Sequence, residues 1–183
     1  MDISCYIPPR TETRAEIAVR LLAENGGKRK VIPGSSFCIP NLNSEENIAA
    51  LIRSAVAFGI ETCYIIGAKP EYKTLRKISC GTNNVITIKN FKRPSDFIGF
   101  CRDNDITLIS MEKNDESENI GEFPTNKVCI CLGHETHGVP VEILYNSIVW
   151  HVEMCGPVNS MNVSAVGSII FHHFHQNFKH LVS

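Results

Sequence analysis

No run of apolar residues in this 183-residue chain approaches the length of a membrane span. Residues Met1 to Arg10 lack the apolar core of a secretory signal, so a cytoplasmic protein with no membrane partner is expected. There is no Gly-x-Gly, which removes the Rossmann-type dinucleotide and methyltransferase fingerprints. A P-loop and a Gly-x-Ser-x-Gly nucleophile elbow are also missing. Net charge is only −1, so the whole molecule is no polycation and a nucleic-acid partner needs a local basic patch.

Such a patch is present. Residues 69 to 93 hold Lys69, Lys73, Arg76, Lys77, Lys89, Lys92 and Arg93 against Glu71 alone, a formal +6. This reads either as a solvated helix face or as a surface for RNA, with Lys73, Arg76 and Lys77 as the contact residues. Residues 102 to 122 are acidic, a formal −5, and read as a loop or a poor helix. Eight cysteines are scattered at irregular spacing, several in apolar strand-like runs. Without an export signal they read as reduced, small hydrophobes rather than a disulfide framework.

Thr13 to Glu16 has capping-box spacing, with Ala15, Val19 and Leu22 on one helical face and Gly26-Gly27 as a stop. Residues 1–35 therefore read as an N-terminal helical extension and 36–183 as the main domain. From Ser36 onward strands and helices alternate. Strands are expected at 37–39, 62–66, 85–88, 106–111, 127–132 and 148–152. Helices are expected from Glu45 to Phe58 behind the Ser44 cap, from Pro70 to Ser79, from Pro94 to Asn104, briefly from Pro140, and from Asn162 to His180. The pattern predicts an α/β fold, a mostly parallel sheet with helices on both faces.

Three polar clusters sit at element edges. Asn47 and Arg53 share one predicted helix and lie roughly 120° apart around it. The bland reading is an amphipathic helix with one exposed arginine. Gly133-His134-Glu135-Thr136-His137-Gly138 follows a strand, where glycines let backbone N–H groups approach a ligand. It also reads as a plain strand-to-helix turn. Met154-Cys155-Gly156 and Ser160-Met161-Asn162 precede the last helix, and Ser160 reads alternatively as its N-cap. Cys129, Cys131, His134 and His137 form a conceivable zinc cluster, although Cys-x-Cys inside a strand suits structural zinc poorly. His172, His173 and His175 read as a packing flank of the last helix, or as metal ligands.

Taken together and in this order, Asn47 with Arg53, Gly-x-Glu-x-x-Gly, and Met-x-Gly followed by Ser-Met-Asn resemble the three motifs of the SpoU (TrmH-like) branch of the SPOUT RNA methyltransferases. The resemblance covers residues 36 to 178. Ala49, His134, His137 and Glu153 depart from the usual pattern. What the resemblance implies is a trefoil-knotted SPOUT-type domain, assembled as a homodimer. It would move a methyl group from S-adenosylmethionine to a ribose 2′-hydroxyl of RNA, with no metal. By the same likeness, Arg53, Asn47, Glu135, Ser160 and Asn162 are catalytic-site residues. Ser110, Leu132, Gly133, Val152, Met154 and Met161 bind the cofactor.

The RNA is expected to be tRNA rather than rRNA, and not DNA. Gly-x-Glu-Thr-x-Gly and Ser-Met-Asn are similar to wobble-position enzymes, while the length and the Asn47 helix are similar to enzymes of the tRNA D-loop and of rRNA. The rival readings are a catalytically inactive RNA-binding protein of the same fold and a zinc-dependent hydrolase. The last helix, rich in Ile169, Ile170, Phe171, Phe174 and Phe178, is expected in the dimer interface with the helix at 45 to 58.

Overall fold

The computed structural model describes residues 30–40, 44–67 and 86–182. The helices expected from Thr13 and from Pro70, the latter with Lys73, Arg76 and Lys77, lie outside the described residues. The chain divides after Lys30, and the unit Val31–Ser183 holds every element that follows.

Among the described residues seven strands form one sheet in which every pairing is parallel. They are β1 Ile32–Pro40, β2 Ile60–Ile66, β3 Thr87–Phe91, β4 Thr107–Met111, β5 Glu118–Asn119, β6 Val128–Leu132 and β7 Ile148–His151. The order across the sheet is β3-β2-β1-β6-β4-β7-β5. The helices are α1 Glu45–Ala57, α2 Pro94–Asp103, α3 Val141–Leu144 and α4 Val163–Phe178, the last running into a 3-10 turn at Lys179–Leu181. The chain winds outward from β1 to β3, returns beyond β1 to lay β4, and then fills the gaps with β6 and β7. The C-terminal ends of β6, β4 and β7 therefore stand side by side, which is where open α/β sheets bind ligands.

Period-two alternation sorts the side chains to two faces. Phe37, Ile39, Ile109, Met111, Ile130 and Leu132 turn to the core they share with α1 and α4. Cys38, Leu108, Cys129 and Cys131 turn to the face covered by α2 and α3, where Phe97, Cys101 and Ile143 pack on them. Burial raises the Cys38 and Cys129 thiols well above their ordinary range, so they act there as small uncharged hydrophobes.

Ser44 caps α1 by accepting the Asn47 N–H at 3.2 Å. Ile48, Leu51, Ile52 and Ala55 form its buried stripe. On α4, Ile170, Phe171 and Phe174 are fully buried, and Phe171 meets Phe37 edge-on at 5.1 Å. Burying each such ring or branched chain is worth about 1.5–3 kcal/mol. The Ser54 and Ser168 hydroxyls, 2.8 Å apart, join α1 to α4.

Several expectations shift. The first strand begins at Ile32, so residues 32–35 belong to the sheet; Ile32 pairs with Ile60 of β2. The third strand runs over Thr87–Phe91, with Ile86 just ahead of it. The acidic segment contains a two-residue strand, Glu118–Asn119, pairing with Trp150 and His151. Most of the apolar side chains of α4 are spent on the chain's own sheet, and only Ile169 of the five is substantially open, at 41%. The histidines of that helix serve packing. His173 donates to the Gly121 carbonyl at 2.9 Å, His175 donates to the Phe58 carbonyl at 3.2 Å, and His172 lies edge-on to Phe58.

Candidate active site

Three segments leave the adjacent ends of β4, β6 and β7. With the start of α4 they enclose a cavity of about 500 Å³, within the range of about 300–1,000 Å³ usual for small-molecule sites. Its apolar wall is Met111, Leu132, Val152, Met154, Met161, Val163 and Val166. Its polar wall includes Glu112, Gly133, His134, Glu135, Ser160 and Asn162.

The loop after β6 is held tightly. The His134 N–H donates to the Gly138 carbonyl at 2.9 Å and the Gly138 N–H returns to the His134 carbonyl at 3.0 Å. A Cβ on Gly133 would lie 2.8 Å from the Gly138 carbonyl carbon and 2.9 Å from the Val139 nitrogen, so only glycine lets the two limbs close. Gly138 has φ +67°, the left-handed conformation that favours glycine. His134 Nδ1 accepts the Thr136 N–H at 3.0 Å and the His137 N–H at 3.3 Å. That ring therefore carries its proton on Nε2 and works as a turn acceptor. The zinc grouping of Cys129, Cys131, His134 and His137 is not assembled among the described residues. The cysteines sit instead with Cys38 on the far face of the sheet, their three Sγ atoms within 4.8 Å of one another.

A thread of side chains ties the three sequence clusters together. Asn47 Nδ2 donates to Glu135 Oε1 at 2.8 Å, and Asn162 Nδ2 donates to Asn47 Oδ1 at 3.1 Å. Asn162 Oδ1 accepts the Ser164 N–H at 2.8 Å and so caps α4. The capping role considered for Ser160 thus falls two residues later, and Ser160 lines the cavity instead. Both ends of the Asn47 amide are engaged, which fixes its orientation. Residues 115 apart in sequence are thereby locked through one side chain.

Leu132, Gly133, Glu135, Val152, Met154, Ser160, Met161 and Asn162 all border the cavity. Asn47 touches it through Glu135. Two of the expected residues stand apart. Arg53 is exposed on α1 and is not in the cavity lining. Ser110 is fully buried, with its Oγ 2.7 Å from that of Ser147, and β4 meets the cavity through Met111 and Glu112 instead. Strand alternation accounts for this: Ser110 shares the face of Leu108, and Met111 the opposite one. In the sequence Glu112 is one carboxylate among seven in the acidic segment. Its place as the first residue beyond a parallel strand was the available signal.

Residues 36–172 match the family model described as the SpoU rRNA Methylase family. The tRNA (guanosine(18)-2′-O)-methyltransferase of Escherichia coli (strain K12) is 23% identical over 144 residues, which are 76% of this chain and 62% of that protein. The chain thus spans less than two thirds of the length of that relative. Among solved structures, the TrmH/SpoU tRNA modifying enzyme of A. aeolicus superposes with TM-score 0.77 at 20% identity, over 90% of this chain and 85% of that one. The AdoMet-bound rRNA methyltransferase of Sinorhizobium meliloti gives TM-score 0.71 at 20% identity, over 81% of this chain and 57% of that one. These likenesses establish the fold.

Proposed function

The chain belongs to the SpoU rRNA methylase family, and we propose from this that it is an S-adenosylmethionine-dependent RNA ribose 2′-O-methyltransferase. The observation that carries the reading is the Glu135–Asn47–Asn162 thread beside the cavity. It brings one polar residue from each of the three motifs into one place at the C-terminal edge of the sheet. The cavity suits the cofactor: it is large enough for a nucleoside with a side arm, and it has an apolar wall for a base.

When bound, S-adenosylmethionine supplies an electrophilic methyl group on a sulfonium, so the chemistry needs no metal. The chain's own residues must then place a ribose oxygen in line with that methyl and favour loss of the hydroxyl proton. Leu132, Gly133, Val152, Met154 and Met161 are assigned to cofactor binding. Asn47, Glu135, Ser160 and Asn162 hold the loops in register with α1. Arg53 lies about 9 Å further along that helix than Asn47, on the exposed surface. We assign it to the substrate phosphate and to the negative charge that grows on the 2′-oxygen. A guanidinium stays protonated at neutral pH, which suits that role.

We further propose tRNA as the substrate, supported by the names of the bacterial relatives. Lys73, Arg76 and Lys77 are assigned to RNA contact on their charge. The proposal includes a homodimer, the trefoil knot of the family, the residues ahead of β1 as an appendage to the domain that starts with that strand, and a cytoplasmic site of action. Among the described residues no helix is long and apolar enough to cross a membrane. Calorimetry with S-adenosylmethionine followed by mapping of methylated nucleotides tests the reading. Cofactor binding and a 2′-O-methyl mark on RNA are expected. Absence of heat and of thermal shift at millimolar cofactor overturns it, and cofactor binding without methyl transfer to any RNA leaves the inactive RNA-binding protein.

A further inference from the structure

One carboxylate in the cavity has work that the motif residues do not explain. Glu112 is the first residue after β4, and its own N–H donates to the Trp150 carbonyl at 2.9 Å, which extends the β4–β7 pairing and fixes its backbone. Its Oε2 accepts the Val139 N–H at 2.8 Å. A Cβ on Gly138 would fall 2.3 Å from the same oxygen, so the loop after β6 folds around the carboxylate. Among the described residues, Oε1 has no hydrogen-bond partner and the group has no ion pair, although Glu112 is half-buried and borders the cavity. A half-buried carboxylate with an uncommitted oxygen is an acceptor lacking its donors.

We propose that Glu112 binds the ribose hydroxyl pair of the adenosyl cofactor. This rests on the reading of the cavity as an S-adenosylmethionine site. The alternatives within that ligand fit less well. A carboxylate set against the sulfonium methyl would compete as a nucleophile for the group being transferred. A vicinal diol offers two O–H donors at a spacing one carboxylate can accept, on Oε1 and on the remaining lone pair of Oε2. Acidic side chains near the C-terminal edge of a parallel sheet bind ribose in this manner in other α/β folds. The same carboxylate restrains Val139, so cofactor binding would also stiffen the loop that carries Glu135.

The test is calorimetry on the full chain and its Glu112→Gln variant, with S-adenosylmethionine, S-adenosylhomocysteine and the 2′-deoxyribose form of the latter. The amide oxygen of Gln can still accept the Val139 N–H, and matching thermal melts check that the fold persists. Glu112→Gln should weaken both ribose ligands by the same factor, roughly tenfold. The deoxy ligand should bind the unaltered protein roughly tenfold more weakly than its parent. In Glu112→Gln that penalty should largely vanish. An equal deoxy penalty in both proteins overturns the inference, as does a Glu112→Gln effect on the cationic ligand alone, which would assign the carboxylate to charge. If the unaltered protein binds neither ribose ligand, the cofactor reading itself has failed.

Discussion

The two faces of the sheet are built from the same strands and do different things. On the face of α1 and α4, large side chains such as Phe37, Phe171 and Phe174 fill the core, and at its C-terminal rim the polar thread from Glu135 to Asn162 begins. The face of α2 and α3 is packed with thiols and aromatic rings. Four cysteines, Cys38, Cys101, Cys129 and Cys131, lie there with Tyr64, Phe91, Phe97 and Phe100, whose rings meet edge-on or tilted at 5.2–5.8 Å. The fold thus separates a face that carries a site from a face that only packs. Substitutions at the polar rim of the first should change chemistry more than stability. Those on the second should do the reverse.

The largest effect is expected at Arg53. Arg53→Ala should lower the methyl-transfer rate about a thousandfold or more, the scale of losing a charged stabiliser of a developing oxyanion. Cofactor affinity should stay within about twofold, because the side chain is outside the cavity lining. Single-turnover assays and calorimetry read the two quantities separately. Undiminished transfer removes Arg53 from the site.

Asn47→Ala comes next. It deletes the donor to Glu135 and the acceptor for Asn162 while leaving the Ser44 cap, which uses the Asn47 backbone. With the loops released, misplacement of about 1 Å is enough for roughly a hundredfold loss in rate. The unfolding midpoint should fall by only a few degrees. A variant that unfolds with its rate constant intact would mean that the thread is structural and that the contrast between the faces is misdrawn.

Much of this site was legible before any coordinates. Glycine at 133 and 138, Glu135, and the Ser-Met-Asn run sit at element edges that capping and strand rules locate, and they do border one cavity. What the pattern could not give is which side chains touch. Asn47 and Asn162 are joined across 115 residues by the order in which strands enter the sheet, a non-local fact. Ser110 is expected at the cofactor, yet its side chain is buried against Ser147, because a one-residue step along a strand reverses the face. Ser160 and Asn162 are both acceptable caps, and only the backbone at Val163 decides between them. Strand β5 escaped because two residues with acidic neighbours carry no periodicity.

On the packing face, Cys129→Ser is the matching probe. Cys129 is fully buried, and Ser brings a stronger polar group into a site built for a thiol. The expected cost is about 1–3 kcal/mol of stability, measured by denaturant unfolding. Cofactor affinity and methyl transfer should be unchanged below the melting range. A loss of transfer without a loss of stability would mean that the cysteine face communicates with the site, for instance through Cys131 and the adjoining Leu132–Gly133 turn.

The smallest effect is expected at the surface of α2, on the same side as the cysteines but in water. Arg93 holds Asp96 in a two-pronged contact, Nε to Oδ2 at 3.1 Å and Nη2 to Oδ1 at 2.7 Å. The hydrogen bonds from Arg93 hold the Asp96 carboxyl below its ordinary range. A carboxyl depressed in the folded state adds stability above its unfolded pKa, about 3.9. That contribution is lost as pH falls through the folded value. Both side chains are largely solvated, so salt screens the pair and its contribution is slight. Asp96→Asn should therefore lower the melting temperature a little at pH 7, less in high salt, and not at all near pH 2, where the native carboxyl is also protonated. Cofactor affinity should not move at any of these. An equal loss at both pH values would trace the effect to the fit of the side chain at the start of α2 instead of its charge. That would put a packing term on the outer surface of a face whose work, on the present reading, is done by its buried thiols and rings.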